Sequence, residues 1–314
     1  MTRARRADLM LLIVTVCWGV SFPAIKAASP YISATLFVAL RFWAATLLLI
    51  ASWPWFLRTL PAERARRGWK LVVEPVALRY GLEVGVLAAI GYTTQTVGMH
   101  TTTANNSAFI TALSVVLVPV FLFAVHRSRP RIGVLASVVL AVIGLMLLTR
   151  PDLGGLVTGD WWTLATAVSY AIYLIRLSTA LTKVSYLPLL FWTMATCAVV
   201  NTALLGLDPP HVTWGSATIG GLIVTTLLST MLALSLQNRF QAETTPTRAA
   251  LIFSAEPVTA AMFSWLLLGE TLGGRSLLGA GLILAAVVVT EATGAGDESG
   301  SDAPMPPPNG ASLS

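Results

Sequence analysis

Glu256 and Pro257 stand side by side inside an apolar run that covers residues 250–268. Proline has no amide proton, so the carbonyl of Phe253 loses its partner four residues on and the ring forces that turn apart. Pro257 is therefore expected to act as a hinge, with the hydroxyls of Ser254 and Thr259 at hand for the freed carbonyl. If the run crosses a bilayer, Glu256 puts a carboxyl near its middle, where an ionised acid costs roughly 2.5 to 3.5 kcal/mol on insertion scales. Such a group must face other helices. Two roles are open to it: a proton relay that loads and unloads as the surroundings change access, or a permanently protonated carboxyl that ties two helices together.

Other polar and aromatic side chains recur at helical spacing. Tyr92, Gln95 and Met99 share one face, and Gln95 is a poor residue to offer to lipid, so that face is read as a cavity wall. Trp18, Ser21 and Phe22 share another, and Tyr170 and Tyr173 a third. Lys26 and Arg41 are placed to meet a substrate carboxylate, although snorkelling to headgroups is the simpler account of Lys26. The expected substrate-binding set is thus Trp18, Ser21, Phe22, Arg41, Tyr92, Gln95, Tyr170, Tyr173 and Glu256. Glu83 is expected to pair with Arg79 four residues earlier, and Asn105 and Asn106 to cap a helix. The Gly133, Ser137, Ala141 spacing, and Gly281 with Ala285, suggest close helix packing.

What must hold these residues is set by composition. Hydrophobic residues make up 55% of the 314 and charged residues 11%, half or less of the charged share of a soluble domain. Blocks of about the ~20 residues needed to cross ~30 Å of hydrocarbon recur along the chain. Ten are expected: 8–27, 32–53, 78–99, 105–125, 132–149, 161–181, 186–206, 216–236, 247–267 and 275–292. A lipid-facing barrel would alternate apolar and polar residues, and this chain does not, so the fold class is an all-α membrane protein. The first block has Arg3, Arg5 and Arg6 ahead of it like a secretory signal, but no small-x-small cleavage site follows, and it is read as a retained span. Residues 294–314, rich in Gly, Ser, Asp and Pro, are expected to form a disordered cytoplasmic tail.

Ten spans sort the cations strongly. On the side of the N-terminus fall Arg3, Arg5, Arg6, Arg58, Arg64, Arg66, Arg67, Lys70, Arg127, Arg129, Arg131, Arg176, Lys183, Arg239 and Arg248, with Arg79 beside them, and opposite them only Lys26, Arg150 and Arg275. Both termini are then cytoplasmic in an inner membrane, and the net charge of +6 reflects topology and anionic headgroups, not nucleic acid. Trp53, Trp55, Trp161, Trp162 and Trp214 fall near span ends, where an indole prefers the interface. Cys17 and Cys197 lie within apolar spans and read as buried thiols. His100, His126 and His211 are too scattered for a metal site, and no HExxH, GxSxG or phosphate loop is present. No cofactor, metal or enzymatic activity is expected.

The spans divide at "TRPDLGGLVTGD". A shift of 142 residues lays 105–125 on 247–267 without a gap, with Thr103 on Thr245, Ala108 on Ala250 and Val116 on Val258. Five being odd, a second five-helix unit runs opposite to the first, as in secondary transporters. The expected units are 1–149 and 150–293.

"CWGVSFPAIK", "LRF", "GYTTQTVGMHTTTANNSAFITAL" and "AETTPTRAALIFSAEPVTAAMFSWLLLGETL" together resemble the EamA branch of the drug/metabolite transporter superfamily. The resemblance implies ten helices in two inverted repeats around a central cavity, and transport of small metabolites such as amino acids by alternating access. Ser114-Val115 stands in the first half where the ninth span has its Glu-Pro, and "SYAIY" stands where the family often has a Trp. The chain is accordingly expected to be a secondary transporter and an exporter, with a small-molecule substrate, a lipid surround and protons as a candidate coupling ion. A lipid scramblase or a receptor is the alternative, and the sequence leaves oligomeric state open. Cysteines placed in 58–70 and 126–131 should react with an impermeant thiol reagent from the same face; labelling from opposite faces would refute the even span count.

Overall fold

An amide in hydrocarbon has no water to bond, and the chain answers by closing nearly all its backbone into helices. The computed structural model describes residues 3–126, 132–148, 156–244, 249, 252, 253 and 255–292. Arg127, Arg129, Arg131, Arg150, Arg248, Ser254, the boundary at 149/150, residues 247, 248, 250 and 251 at the start of the ninth block and the tail 294–314 lie outside the described residues. Helices α1 (Arg3–Gly19) and α2 (Ser21–Ala28) follow each other almost without a break, then α3 (Ala34–Leu57), the short α4 (Ala62–Arg67) and α5 (Pro75–Met99). Next come α6 (Ala104–Thr111), α7 (Leu113–His126), α8 (Ile132–Leu148), α9 (Thr158–Leu181) and α10 (Tyr186–Leu204). Helix α11 (Ser216–Val224) widens to a π-helix over Thr225–Leu232 before α12 (Ala233–Phe240), and α13 (Glu256–Leu268) and α14 (Gly274–Ala292) complete the chain. Among the described residues there is no sheet, only a single antiparallel bridge between Ile32 and Val212.

Among the described residues, six helical stretches are long and apolar enough to cross a membrane: Arg5–Ala28, Ala34–Leu57, Ala104–Leu122, Thr158–Leu181, Tyr186–Leu204 and Ser216–Glu243. Leu135–Gly144, Glu256–Leu268 and Gly274–Ala286 are apolar but shorter. Helix α5 has the length, and Arg79 and Glu83 in its first turns set it apart from the apolar group.

The helix pairs come in matching sets when the two halves are exchanged. α5 packs on α9, and the π-segment and its flanking helices α11 and α12 pack on α1 and α2. α6 and α7 lie against α9 as α13 lies against α1 and α2. α10 crosses α5, and α3 crosses the π-segment; α3 with α10, α6 with α13 and α8 with α14 are each their own counterpart.

The loops gather at two ends. At one, Arg64 donates to Ser185 Oγ (3.0 Å), Thr59 bonds Tyr186 and Arg239 donates to the Thr59 carbonyl (3.3 Å). At the other, the Ser33 amide bonds the His211 carbonyl (3.1 Å), and the amide and hydroxyl of Thr35 both reach Asp208 (3.1 and 2.9 Å).

Partners across the bundle override several local expectations. Glu83 pairs with Arg176 of α9, not with Arg79, because α9 packs directly on α5 and brings a guanidinium to it. The cap of α6 is Thr103, whose hydroxyl accepts from the Asn106 amide (3.0 Å), and Glu270 adds a carboxylate to the amides of Ala104 (3.2 Å) and Asn105 (3.1 Å). Trp53 is buried and stacked on Trp69 with centroids 4.1 Å apart, whereas Trp55, Trp161, Trp162 and Trp214 are exposed as expected of interfacial indoles. Cys17 and Cys197 are buried free thiols. Ser137 and Ala141 are buried, the latter with Val116 and Ala286, but Gly281 is exposed with nothing near it; the close approach is Gly144 against the Gly279 carbonyl. Gly269 ends α13 at φ 66°, a left-handed cap that a side chain would strain.

Glu270 faces the positive end of α6, so Glu270→Gln should lower stability by ~1 kcal/mol, read as a lower unfolding midpoint in detergent. An unchanged midpoint for Glu270→Ala would remove the capping role.

Candidate functional site

Where α1 gives way to α2, Trp18 and Ser21 turn inward, and Ser21 Oγ donates to the Trp18 carbonyl at 2.6 Å. The later turns of α5 supply Tyr92 and Gln95, and the break between α6 and α7 supplies Thr111 and Ser114. From the second half come Tyr170, Tyr173 and Leu174 of α9, Ser229 of the π-segment, Gln237 of α12, and Phe253 and Glu256 at the start of α13. Together they line a partly open cavity. Four of its walls are thus places where a helix stops, restarts or widens. In a bilayer such irregular backbone is tolerated only where it lines a cavity or is buried in protein.

Aromatic rings make much of the wall. Trp18 and Phe253 lie with centroids 5.0 Å apart, Tyr92 and Tyr170 at 5.6 Å, and Tyr170 and Tyr173 at 6.3 Å. The Trp18 indole donates to the Ser229 carbonyl at 3.2 Å, a partner in the π-segment. Tyr173 donates to Gln237 Oε1 (3.2 Å), Gln237 to Gln241 (3.0 Å) and Gln241 to Ser178 (2.9 Å), so the amides form a chain leading away from the cavity. Gln95 reaches Thr111 Oγ1 at 3.4 Å.

Of the residues expected to bind substrate, the cavity gathers Trp18, Ser21, Tyr92, Gln95, Tyr170, Tyr173 and Glu256. Phe22 does not line it: one residue past Ser21 is ~100° around the helix, and its ring is buried with Ile25, Phe37 and Met99. Arg41 lies behind the wall. Its Nε donates to Thr230 Oγ1 at 2.6 Å and Nη2 to Ser229 Oγ at 2.9 Å, and its guanidinium sits 4.8 Å from the centre of the Tyr92 ring. Lys26 neither snorkels nor reaches the cavity; Nζ donates to the Met99 carbonyl (2.9 Å) and closes the end of α5. At Pro257 the helix restarts: α13 begins at Glu256, so the ring occupies a first-turn position where the missing amide costs nothing. Thr259 Oγ1 bonds the carbonyls of Glu256 (2.9 Å) and Thr15 (3.2 Å), joining the restart to α1.

Thr111, Ser114, Leu174, Ser229, Gln237 and Phe253 were not among the residues expected to bind substrate, yet most had a signal in the sequence. The 142-residue shift carries Gln95 onto Gln237, Thr111 onto Phe253 and Ser114 onto Glu256. A shift of 152 carries Trp18 onto Tyr170 and Ser21 onto Tyr173. The difference arises because α3 is longer than α10 and the 58–74 connection, with α4 in it, is longer than 205–215. Ser229 has no such signal; a π-helix leaves no simple spacing behind.

The EamA-like transporter family matches residues 5–150 and, a second time, residues 157–291. An "Uncharacterized transporter" of Archaeoglobus fulgidus is 30% identical over 283 residues, covering 90% of this chain and 85% of that protein. A "Probable amino-acid metabolite efflux pump" of Salmonella typhimurium is 26% identical over 305 residues, covering 91% of this chain and 95% of that protein. One solved crystal structure superposes with a TM-score of 0.64 at 16% identity, over 94% of this chain and 99% of that one, a likeness of fold.

A Cβ at Gly91 would overlap the Tyr170 ring. Gly91→Ala should therefore destabilise by ~1 to 3 kcal/mol, and Gly91→Ala with Tyr170→Ala should recover part of that loss. Additive losses in unfolding measurements would mean that the ring does not hold this position.

Proposed function

The chain belongs to the EamA-like transporter family, and from that premise we propose that it is a secondary transporter that carries small metabolites through the cavity between its halves. The observation that carries this reading is the composition of that cavity: its wall is drawn from both halves, largely in residue pairs related by a shift of 152 or 142 residues, and includes the Glu256 carboxyl. A receptor pocket has no need of matched contributions from two copies.

The reading includes ten membrane-crossing helices in two five-helix units, 1–149 and 150–293, inverted relative to each other. The two family matches support the units, and the exchangeable helix pairs support the inversion. The end that carries Arg64, Lys183 and Arg239 is the cytoplasmic one on the positive-inside rule, which puts both termini and the tail 294–314 on that side of an inner membrane. Access to the cavity alternates as the halves rock, with the break before Pro257 as one hinge.

For cargo, the Salmonella relative's name points to amino-acid metabolites, and export is the direction it suggests. Aromatic faces, hydroxyls and one carboxyl suit a small molecule with both polar and apolar parts. Glu256 is the candidate proton carrier.

Purified protein in liposomes should give saturable flux of amino acids, driven by a proton gradient. Glu256→Gln should cut gradient-driven flux at least tenfold and flatten its pH dependence. A variant that kept both rate and pH profile would remove the relay. If no solute in a metabolite comparison of overproducing and deleted cells moved in a protein-dependent way, the transporter reading itself would fall.

A further inference from the structure

Exchanging the two halves leaves two mismatches of charge at the cavity and directly behind its wall. The 152-residue shift places Arg41 of α3 on Thr193 of α10, and the 142-residue shift places Glu256 on Ser114. Each pair has one charged member, the cation in the first half and the carboxyl in the second. Thr193 is self-sufficient, since its hydroxyl bonds the Leu189 carbonyl of its own helix at 2.8 Å. A guanidinium with five N–H groups is not.

Arg41 is almost wholly buried, and two hydroxyls are the hydrogen-bond partners it has: Thr230 takes Nε and Ser229 takes Nη2. Nη1 is buried with no partner, and no carboxylate among the described residues lies within ion-pair distance. A buried charge in that state is costly unless something anionic completes it. Ser229 is placed to pass the charge on. Its oxygen accepts from Arg41, which leaves its own O–H to donate, and the residue lines the cavity. Tyr92, beneath the guanidinium, lines it too. One wall of the cavity therefore offers a donor backed by a cation, and another offers the Glu256 carboxyl.

We propose that this cavity takes an amino-acid zwitterion: the carboxylate against the Ser229 hydroxyl with Arg41 behind it, the ammonium at Glu256, and an apolar side chain against Trp18 and Phe253. The assignment rests on the transporter reading and adds to it a polarity, with Arg41 and Ser229 as the carboxylate-selecting pair. A cation alone would meet Arg41, and an anion alone would meet Glu256.

The test is uptake into liposomes holding the full chain, with each common L-amino acid as substrate and its methyl ester or its N-acetyl derivative as competitor. The ester lacks the carboxylate and the acetyl derivative lacks the ammonium. Both should compete at least about tenfold more weakly than the parent amino acid. Arg41→Gln should raise KM for the amino acid about tenfold and abolish discrimination against the ester while leaving discrimination against the acetyl derivative. Arg41→Lys, which keeps the charge, should restore part of it. Ser229→Ala should shift the same discrimination in the same direction, and it decides the matter if Arg41→Gln does not fold. Esters that compete as well as amino acids, or variants at Arg41 and Ser229 that discriminate as the wild type does, would reduce Arg41 to a pin for the π-segment and overturn the proposal. Saturable flux of other solutes without amino acids would overturn it and leave the transporter reading standing. No saturable flux of any solute would overturn both.

Discussion

In hydrocarbon a polar group must find its partner inside the protein, and this one requirement sorts the side chains of the bundle. Hydroxyls meet it locally. Thr46 bonds the Phe42 carbonyl (2.7 Å), Thr96 that of Tyr92 (2.8 Å), Thr202 that of Ala198 (2.8 Å) and Thr225 that of Gly221 (2.7 Å). Charged groups have no such local remedy, so their positions are fixed by what lies across the bundle. Lys26 closes the carbonyl end of α5, Glu270 the amide end of α6, and Asp160, besides capping its own helix, accepts from Thr102. Glu83 and Arg176 neutralise each other. At the cavity and directly behind its wall stand Arg41 and Glu256, each lacking an oppositely charged partner among the described residues. The site is the place where the structural requirement stops being satisfied by the structure itself.

The backbone follows the same logic. Between α1 and α2, between α6 and α7, along Thr225–Leu232 and before α13, the regular ladder is interrupted, and each interruption borders the cavity. A free carbonyl facing lipid would cost several kcal/mol, but here the Ser229 carbonyl accepts from Trp18 and the Thr225 carbonyl from the Thr230 hydroxyl at 2.9 Å. The irregularities thus need the cavity, and the cavity owes its shape to them. Proline fits this scheme through position: at Pro257 the missing amide coincides with the first turn of α13.

What could be read in the sequence was whatever a helix repeats. Tyr92 with Gln95, and Tyr170 with Tyr173, declare a shared face by spacing, and both pairs line the cavity. The shift that aligned whole helices also related individual wall residues, as with Gln95 and Gln237. What could not be read were partners distant in sequence. Glu83 lies 93 residues from Arg176, and Lys26 lies 73 from the carbonyl it caps. A neighbour four residues away is visible on the page; a neighbour brought by packing is not. Ser229 escaped for a different reason, since the π-helix that turns it toward Arg41 breaks the periodicity by which a face is recognised.

Asymmetry is the remaining step. Two halves with identical walls would offer a substrate two equivalent orientations, and two carboxyls or two guanidiniums at matched positions would repel across a cavity of low dielectric. One cation and one carboxyl, each opposite a hydroxyl-bearing counterpart in the other half, avoid that repulsion and leave a single preferred orientation. On the transporter reading, the charges supply the direction in which cargo sits. Arg41 is tied to Ser229 of the π-segment, which lines the cavity, and Glu256 lines it itself, so on the transporter reading a substrate that satisfies both is held in one orientation.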